Sequence, residues 1–316
     1  MIQYSSIEDV SMQGVWLAVG LFDGVHLGHQ KIIRNLTDEA RQAGVQTVVL
    51  TFHPHPMVYL HQFPGPIYLT TPEKRAELLG RLGVDVVITQ LFDARVADLT
   101  ARQYLEILHK HLGMRQIWAG YDFAMGKGRQ ADAEVLTHLG TEFGYTYQIM
   151  PAVKVDGRIV SSSQIRDLLL MGDVEQAERR LGRPYQVQGT VVRGDGRGRG
   201  LGIPTANIRP MEQIVLPAQG VYACWAQVGQ RCWLATVNIG KRPTFENEGK
   251  TTLTIEAHLS DLASQDDLYG EELSLDFIKR LRGEMRFSSP EELVAQIQTD
   301  IQDSRTILSK KNGVTA

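Results

Sequence analysis

Apolar residues in the first half of the chain follow two alternating spacings. Short apolar and β-branched runs, which are typical of buried strands, lie at 15–20, 46–52, 84–89, 116–119 and 147–153. Apolar residues three and four apart predict helices near 29–43, 72–82, 99–112 and 130–140. Because helices connect parallel strands, this alternation predicts an α/β fold with a doubly wound, mostly parallel sheet.

The second half has a different pattern, which begins near 182–184 (Gly-Arg-Pro). Strand-sized runs separated by turn residues lie at 185–192, 220–228, 231–238, 251–259 and 273–278. Such spacing predicts a small antiparallel barrel or sandwich. Helical spacing returns only after Ser289-Pro290. We therefore expect two domains, 1–183 and 184–316.

Composition agrees with two ordinary globular domains. The chain has 316 residues, 43% hydrophobic and 22% charged, with a net charge of −3 that gives no general attraction to nucleic acid or acidic membranes. Cys224 and Cys232 lack partners at zinc-type spacing and are expected to be reduced thiols of a cytoplasmic protein. The N-terminus shows no signal-peptide pattern, and no apolar run approaches the roughly 18 residues that cross a bilayer.

The segment Gly20–Gln30 follows a predicted strand and opens a helix, the place where α/β sheets bind nucleotides. Gly20 and Gly24 allow a sharp turn, Gly28 allows close approach of a ligand, and first-turn N–H groups can receive phosphate oxygens.

Two histidines, His26 and His29, stand three residues apart at this predicted helix start and so share one face. Two imidazoles there can donate hydrogen bonds to charge that develops on a phosphate. When each histidine is considered by itself, an ordinary strand–turn–helix with surface histidines explains the same residues.

A second unusual segment, 189–207, is rich in glycine and precedes the sequence Pro-Thr-Ala-Asn. Between 179 and 209 there are seven arginines and one acidic residue, Asp195. A solvated basic loop or a nucleic-acid arm explains the charge, but neither explains the glycines. A glycine-rich flap can bring backbone N–H groups against phosphates.

The run 251–259 alternates cleanly between two faces. Thr254, Glu256 and His258 share one face, and the apolar residues between them share the other. From this pattern alone, Glu256 is a residue on a solvent-facing side of a strand.

The first segment resembles a family signature. Its G-x-F-D-G-x-H-x-G-H string is similar to that of bacterial FAD synthetases within the nucleotidylyltransferase superfamily. The segment 120–129 resembles that family's G-x-D-F-x-F-G loop, with Met125 in place of Phe. The segment 161–166 resembles its S-S-T-x-I-R element, with Ser163 in place of Thr. The segment 52–56 resembles its F-x-P-H-P element, with His53 departing from the usual acid.

This resemblance implies an adenylyltransferase site in the first domain. His26, His29 and Arg166 would stabilise charge during transfer. Asp122 would orient adenine or flavin, and His55 would contact a phosphate. The residues expected to bind nucleotide or flavin are Gly20, Phe22, Asp23, Gly24, Gly28, His55, Asp122, Ser162 and Ser163.

The glycine-rich segment resembles the riboflavin kinase signature G-R-x-L-G-x-P-T-A-N. The resemblance implies that Thr205 and Asn207 hold Mg²⁺ and the ATP phosphates, since oxygen ligands suit a hard cation. It also makes Glu256 the general base for riboflavin. Further contacts with nucleotide or flavin are expected from Gly194, Arg199, Gly202 and Arg282.

Both signatures occur in the order found in the bifunctional riboflavin kinase/FMN adenylyltransferase family. The resemblance implies a Rossmann-like nucleotidylyltransferase domain followed by a six-stranded antiparallel β-barrel and a C-terminal helix. It implies ATP, riboflavin and FMN as substrates and Mg²⁺ as cofactor, with no nucleic-acid or membrane partner. The oligomeric state stays open, and a homo-oligomer is allowed.

Three other functions fit the same sequence. The chain could be a single-activity enzyme with one degenerate module. Met125 and Ser163 depart from the adenylyltransferase motifs, so that module would be the inactive one. It could be a flavin-sensing or flavin-buffering protein, although Glu256 and both histidines are retained. It could transfer another phosphate ester such as phosphopantetheine, which the kinase half argues against.

Overall fold

The computed structural model describes residues 1–60, 65–194, 202–211, 213–243, 251–262 and 267–312. The chain divides into two compact units, Met1–Ser162 and Ser163–Ala316.

The first unit is built on a six-stranded sheet in which every strand pair is parallel. The strand order is β1-β4-β3-β2-β5-β6. Its strands are β1 Ile2–Tyr4, β2 Trp16–Val19, β3 Thr47–His53, β4 Val86–Leu91, β5 Gln116–Gly120 and β6 Thr146–Met150. A small hairpin follows, formed by β7 Lys154–Val155 and β8 Arg158–Ile159. The predicted doubly wound parallel sheet is therefore confirmed.

Helices connect these strands. They are α1 Leu27–Ala43, α2 Pro56–Tyr59, α3 Pro72–Arg81, α4 Ala94–Asp98, α5 Ala101–Leu112 and α6 Ala133–Phe143. The capping signals in the sequence act as expected: the Thr71 side chain accepts from the Lys74 N–H, and Pro72 occupies the first turn.

Successive residues of the strands pack against opposite faces of the sheet. Leu17 and Val48 belong to one core cluster, which includes Leu105 of α5. Ala18 and Val49 belong to another, which includes helices α1 and α3. Both faces are thus buried, which explains why these strands are apolar throughout.

The second unit is a closed antiparallel barrel with the strand order β10-β13-β12-β11-β14-β9. Its strands are β9 Tyr185–Val192, β10 Ala206–Pro210, β11 Gly220–Val228, β12 Arg231–Pro243, β13 Thr251–Leu259 and β14 Glu272–Arg282. Its helices are α7 Ser162–Met171, α8 Val174–Leu181 and α9 Pro290–Asn312. The predicted barrel and C-terminal helix are confirmed.

Strand β10 closes the barrel, because it pairs with β9 on one side and β13 on the other. The hydrophobic pattern does not predict this strand. Within it only Ile208 is buried, at 4% exposure, and its last residue is a proline.

Two cysteines lie on neighbouring barrel strands as free thiols, with Cys224 buried and Cys232 exposed. Burial raises the pKa of Cys224 well above its usual value. Among the helices of the described part of the chain, none is both long and apolar enough to span a bilayer.

Helix α9 is held to the barrel by polar contacts as well as by apolar packing. The Arg282 guanidinium donates to both carboxylate oxygens of Asp300, at 2.7–3.1 Å. The Thr236 hydroxyl bonds the Ser304 hydroxyl at 2.9 Å in a buried position.

Substitution of Asp300 is expected to destabilise the second unit. Asp300→Asn leaves the partly buried Arg282 guanidinium without its carboxylate partner. The loss of hydrogen bonds between charged groups costs about 2 kcal/mol. Urea unfolding followed by circular dichroism measures the loss. Asp303→Asn, an exposed change on the same helix, is the control. Equal stability of the two variants would contradict the structural role of the pair.

Candidate active sites

The first candidate site lies where β2 ends and α1 begins. The backbone there passes through the left-handed region at Phe22, Gly24 and Val25, with φ values of 49°, 77° and 40°. This tight turn carries the chain from the sheet edge to the N-terminus of α1. The predicted sharp turn is confirmed at Gly24, whose φ a glycine adopts without strain.

His26 caps helix α1. Its Nδ1 accepts hydrogen bonds from the backbone N–H groups of Gly28 and His29, at 3.1 and 3.3 Å. Because those N–H groups donate, Nδ1 carries no proton, and Nε2 is the protonated nitrogen of the neutral ring. The cap therefore fixes both the orientation of the ring and its tautomer.

The two histidine rings are brought together, as their spacing predicts. The rings of His26 and His29 stack with centroids 3.6 Å apart. The Phe22 ring meets His29 edge-on at 5.3 Å. The imidazole pair is thus held in one orientation at the start of α1.

Two glycines of this loop make room for neighbouring side chains. A Cβ on Gly28 would come within 2.9 Å of the His26 ring, and one on Gly20 within 3.2 Å of the Phe22 ring. Packing inside the loop therefore accounts for both glycines. Close approach of a ligand, the reason expected for Gly28 from the sequence, is not needed to explain that glycine.

Phe22 and Asp23 are buried in the loop, and each is only 2% exposed. The Asp23 carboxylate accepts from the backbone N–H groups of Leu69 and Thr70, at 3.0–3.2 Å. The Ser162 hydroxyl donates to the Asp23 carbonyl at 2.9 Å. Asp23 and Ser162 thus brace the loop through these bonds, and the contacts of Phe22 and Asp23 with nucleotide or flavin stay predictions.

Arg75, which sequence reasoning missed, joins the ends of two strands beneath this loop. Its Nη1 donates to the Leu21 carbonyl at 2.7 Å and to the Thr51 hydroxyl at 3.0 Å. The side chain is almost fully buried, which lowers the pKa of Arg75, while Asp23 acts in the opposite direction. Burial, followed by the charge of Arg75, lowers the pKa of His53.

His55 is buried and caps the short helix α2. The His55 Nδ1 accepts a hydrogen bond from the Met57 N–H at 3.1 Å. The backbone N–H of His55 donates to the Tyr68 hydroxyl at 2.9 Å. Its contact with a phosphate stays a prediction.

The loop after β5 contains Asp122 and Met125 in different surroundings. Asp122 is exposed, and Arg129 donates to its carbonyl at 2.7 Å. Met125 is 6% exposed and belongs to the apolar core. The position at which this chain has Met125 instead of the family's Phe therefore lies in the core of this unit.

On α7, Ser163 lies in the first turn, and Arg166 is 8% exposed. Their roles toward a phosphate stay predictions.

The second candidate site is a polar row across three neighbouring barrel strands. Glu256 of β13 lies opposite Asn207 of β10 and opposite Asn238 of β12. Residues directly opposite in antiparallel strands have Cβ atoms about 5 Å apart and share a face. The neighbours Ile255 and Ala257 are buried, so the row is on the outer face of the barrel.

Gly194 lies directly against Asn207, and a Cβ at this position would overlap the amide of that side chain. Glycine there leaves the space in which the Asn207 amide sits. The nearby Thr205 is half-buried, Gly202 has φ of 75°, and Arg199 lies outside the described residues.

Known proteins are similar to this chain over most of their length. The bifunctional riboflavin kinase/FMN adenylyltransferase of Listeria monocytogenes is 36% identical over 296 residues, covering 93% of this chain and 92% of its own. That of Pseudomonas fluorescens is 36% identical, covering 93% of each. This chain belongs to the bifunctional riboflavin kinase/FMN adenylyltransferase family.

Both modules of the family are represented. A family model of FAD synthetase matches residues 9–164, and one of riboflavin kinase matches residues 181–308. A crystal structure described as a macrolide-efflux protein from Streptococcus pneumoniae is 30% identical, with a TM-score of 0.86, covering 96% of this chain and 98% of its own.

The resemblance to riboflavin kinases predicts a flavin contact for Arg282. The structure shows its Nε and Nη2 bonded to Asp300 and its Nη1 bonded to the Gly283 carbonyl at 3.0 Å. Its observed role is to anchor α9. The Arg282 guanidinium therefore already has hydrogen-bond partners, and its contact with flavin stays a prediction.

Gly194→Ala is expected to lower the kinase activity of this family member about 10²-fold, since displacement of a substrate-positioning group by about 1 Å has that effect. The new Cβ must push the Asn207 amide aside. FMN formation from riboflavin measures the loss, and FAD formation from supplied FMN is the internal control. An unchanged kinase rate would remove Asn207 from the site.

Proposed function

We propose that the chain carries out two ATP-dependent steps at two sites. The barrel phosphorylates riboflavin to FMN, and the first unit adenylylates FMN to FAD with release of pyrophosphate. The observation that supports the assignment most directly is the placement of Glu256 beside Asn207 on adjacent strands. A carboxylate and an amide from different parts of the sequence thereby share one face.

In the kinase step, Glu256 accepts the proton of the riboflavin primary hydroxyl as that oxygen attacks the γ-phosphorus of ATP. The bond to the bridging oxygen breaks, and ADP leaves. Phosphoryl transfer needs mainly positioning and neutralisation of charge, with one group to orient the nucleophile. Asn207 and Thr205 position the phosphates.

The family resemblance implies Mg²⁺ in the barrel site, and the chemistry of the donors fits it. The Thr205 hydroxyl and the Asn207 carbonyl are neutral oxygen ligands, which suit a hard cation that keeps several waters. When bound, the ion neutralises charge on the phosphate oxygens. Among the described residues, no cluster of three or more His, Cys, Asp or Glu side chains offers another metal site.

In the adenylylation step, the FMN phosphate attacks the α-phosphorus of a second ATP, and pyrophosphate leaves. The FMN phosphate is already anionic, so orientation and electrostatics carry this step without a general base. His26 and His29 donate hydrogen bonds to the charge that develops. The roles proposed for Ser162, Ser163, Arg166 and Asp122 rest on the resemblance of their motifs.

The proposal also places the division of activities at 183/184 and the protein in the cytoplasm. It leaves the oligomeric state open, with a homo-oligomer allowed. A single-activity enzyme is the second candidate, because Ser163 departs from the adenylyltransferase motif. Met125 gives it less support, since that side chain is in the core.

Chromatography of the products from riboflavin and Mg–ATP tests the proposal. FMN should appear first and FAD should follow. FMN without FAD would establish the single-activity enzyme. Flavin binding without any consumption of ATP would establish a flavin-buffering protein and overturn the proposal.

A further inference from the structure

His258 bonds a residue of the kinase signature. It lies on β13, two residues after Glu256 and on the same outward face. Its Nδ1 is 3.0 Å from the Pro204 carbonyl oxygen. Since a carbonyl only accepts, Nδ1 carries the proton and donates.

The contact bears directly on Thr205. The Pro204 carbonyl and the Thr205 nitrogen belong to one planar peptide group, so fixing the oxygen fixes the plane from which the Thr205 side chain projects. Thr205 stands one residue before β10 begins, outside the named strand. Asn207, in contrast, is held within β10 by its pairing with Val192 and Glu256.

We propose that His258 is a positioning residue of the kinase site, which holds Thr205 in register with Asn207 through the Pro204 carbonyl. The inference rests on the proposed kinase function. His258 takes no part in proton transfer; it sets the distance between the two oxygen donors that receive the nucleotide.

The expected effect is therefore on nucleotide binding. Without the hydrogen bond, the Thr205 hydroxyl is no longer fixed relative to the Asn207 amide, so Mg–ATP binds less tightly. Glu256 and Asn238 stay in place, because they are held by strand pairing. The Michaelis constant for Mg–ATP should rise, while kcat and the Michaelis constant for riboflavin stay close to their wild-type values.

A matched pair of variants isolates the hydrogen bond. Asn and Leu have nearly the same shape, but only the Asn amide nitrogen can donate from the position of Nδ1. His258→Leu should raise the Michaelis constant for Mg–ATP about threefold to tenfold, the effect of one lost hydrogen bond. His258→Asn should restore most of the wild-type value.

The control removes another side-chain-to-carbonyl bond from the same face of β13. Thr254 lies two residues before Glu256, and its hydroxyl donates to the Gly240 carbonyl at 3.4 Å. Thr254→Val should leave the Michaelis constant for Mg–ATP unchanged. FAD formation from supplied FMN by the same preparations shows that each variant is folded and active.

Three results would overturn the inference. The Leu and Asn variants could both behave as wild type, both could lose nucleotide affinity equally, or kcat could fall while both Michaelis constants stay constant. Absence of FMN formation by the wild-type chain is a separate result, which would overturn the kinase function itself.

Discussion

Glu256→Gln is expected to lower kcat for FMN formation by about 10² to 10⁴, the usual contribution of a positioned general base. Glutamine keeps the size of the side chain and its place between Asn207 and Asn238, but it cannot take the hydroxyl proton of riboflavin. FAD formation from supplied FMN should continue at the wild-type rate, because that step needs no base from the barrel.

The control for this prediction is Glu272→Gln, which neutralises an exposed carboxylate on β14 of the same barrel. It should leave FMN formation unchanged. If Glu256→Gln lowered both activities together, the assignment of the two steps to separate sites would be wrong. If it lowered neither, Glu256 would be only a solvent-facing residue of β13.

His29→Ala is expected to lower FAD and pyrophosphate formation by about 10² to 10³, the range for loss of one donor to charge in a transition state. His29 is a cleaner target than His26. The His26 side chain also caps α1, so its removal would cost about 1 kcal/mol of stability in addition to any catalytic effect.

For His29, the kinase activity of the same preparation is the internal control and should be unchanged. His138→Ala, which removes an exposed imidazole from α6, is the matched substitution and should affect neither step. Wild-type output of FAD from the His29 variant would remove this residue from the mechanism.

Much of the fold can be predicted from the sequence because its strands and helices have strong hydrophobic periods. The parallel strands of the first unit are buried on both faces and read as continuous apolar runs. Strand β10 has no such period, since Ile208 is its only buried residue. The hydrophobic pattern therefore indicates five barrel strands, and the resemblance to riboflavin kinase supplied the sixth.

The residues of the candidate sites also fall into those that the sequence predicts and those that it does not. The histidine pair is predictable because His26 and His29 are three residues apart at a helix start. Arg75 and His258 are not predictable, because each acts through a backbone carbonyl 54 residues away in the sequence. The buried position of the Asp23 carboxylate is likewise not predictable, because it bonds the backbone N–H groups of Leu69 and Thr70, which are 46 and 47 residues away in the sequence.

The central claim is that one chain uses the terminal phosphate of ATP in the barrel and the innermost phosphate of another ATP in the first unit. Product analysis with riboflavin and ATP labelled at either the γ or the α phosphorus tests it most directly. FMN should carry label only from the γ position, and FAD should carry label from both positions. FMN labelled from the α position, or FAD without α label, would contradict the account.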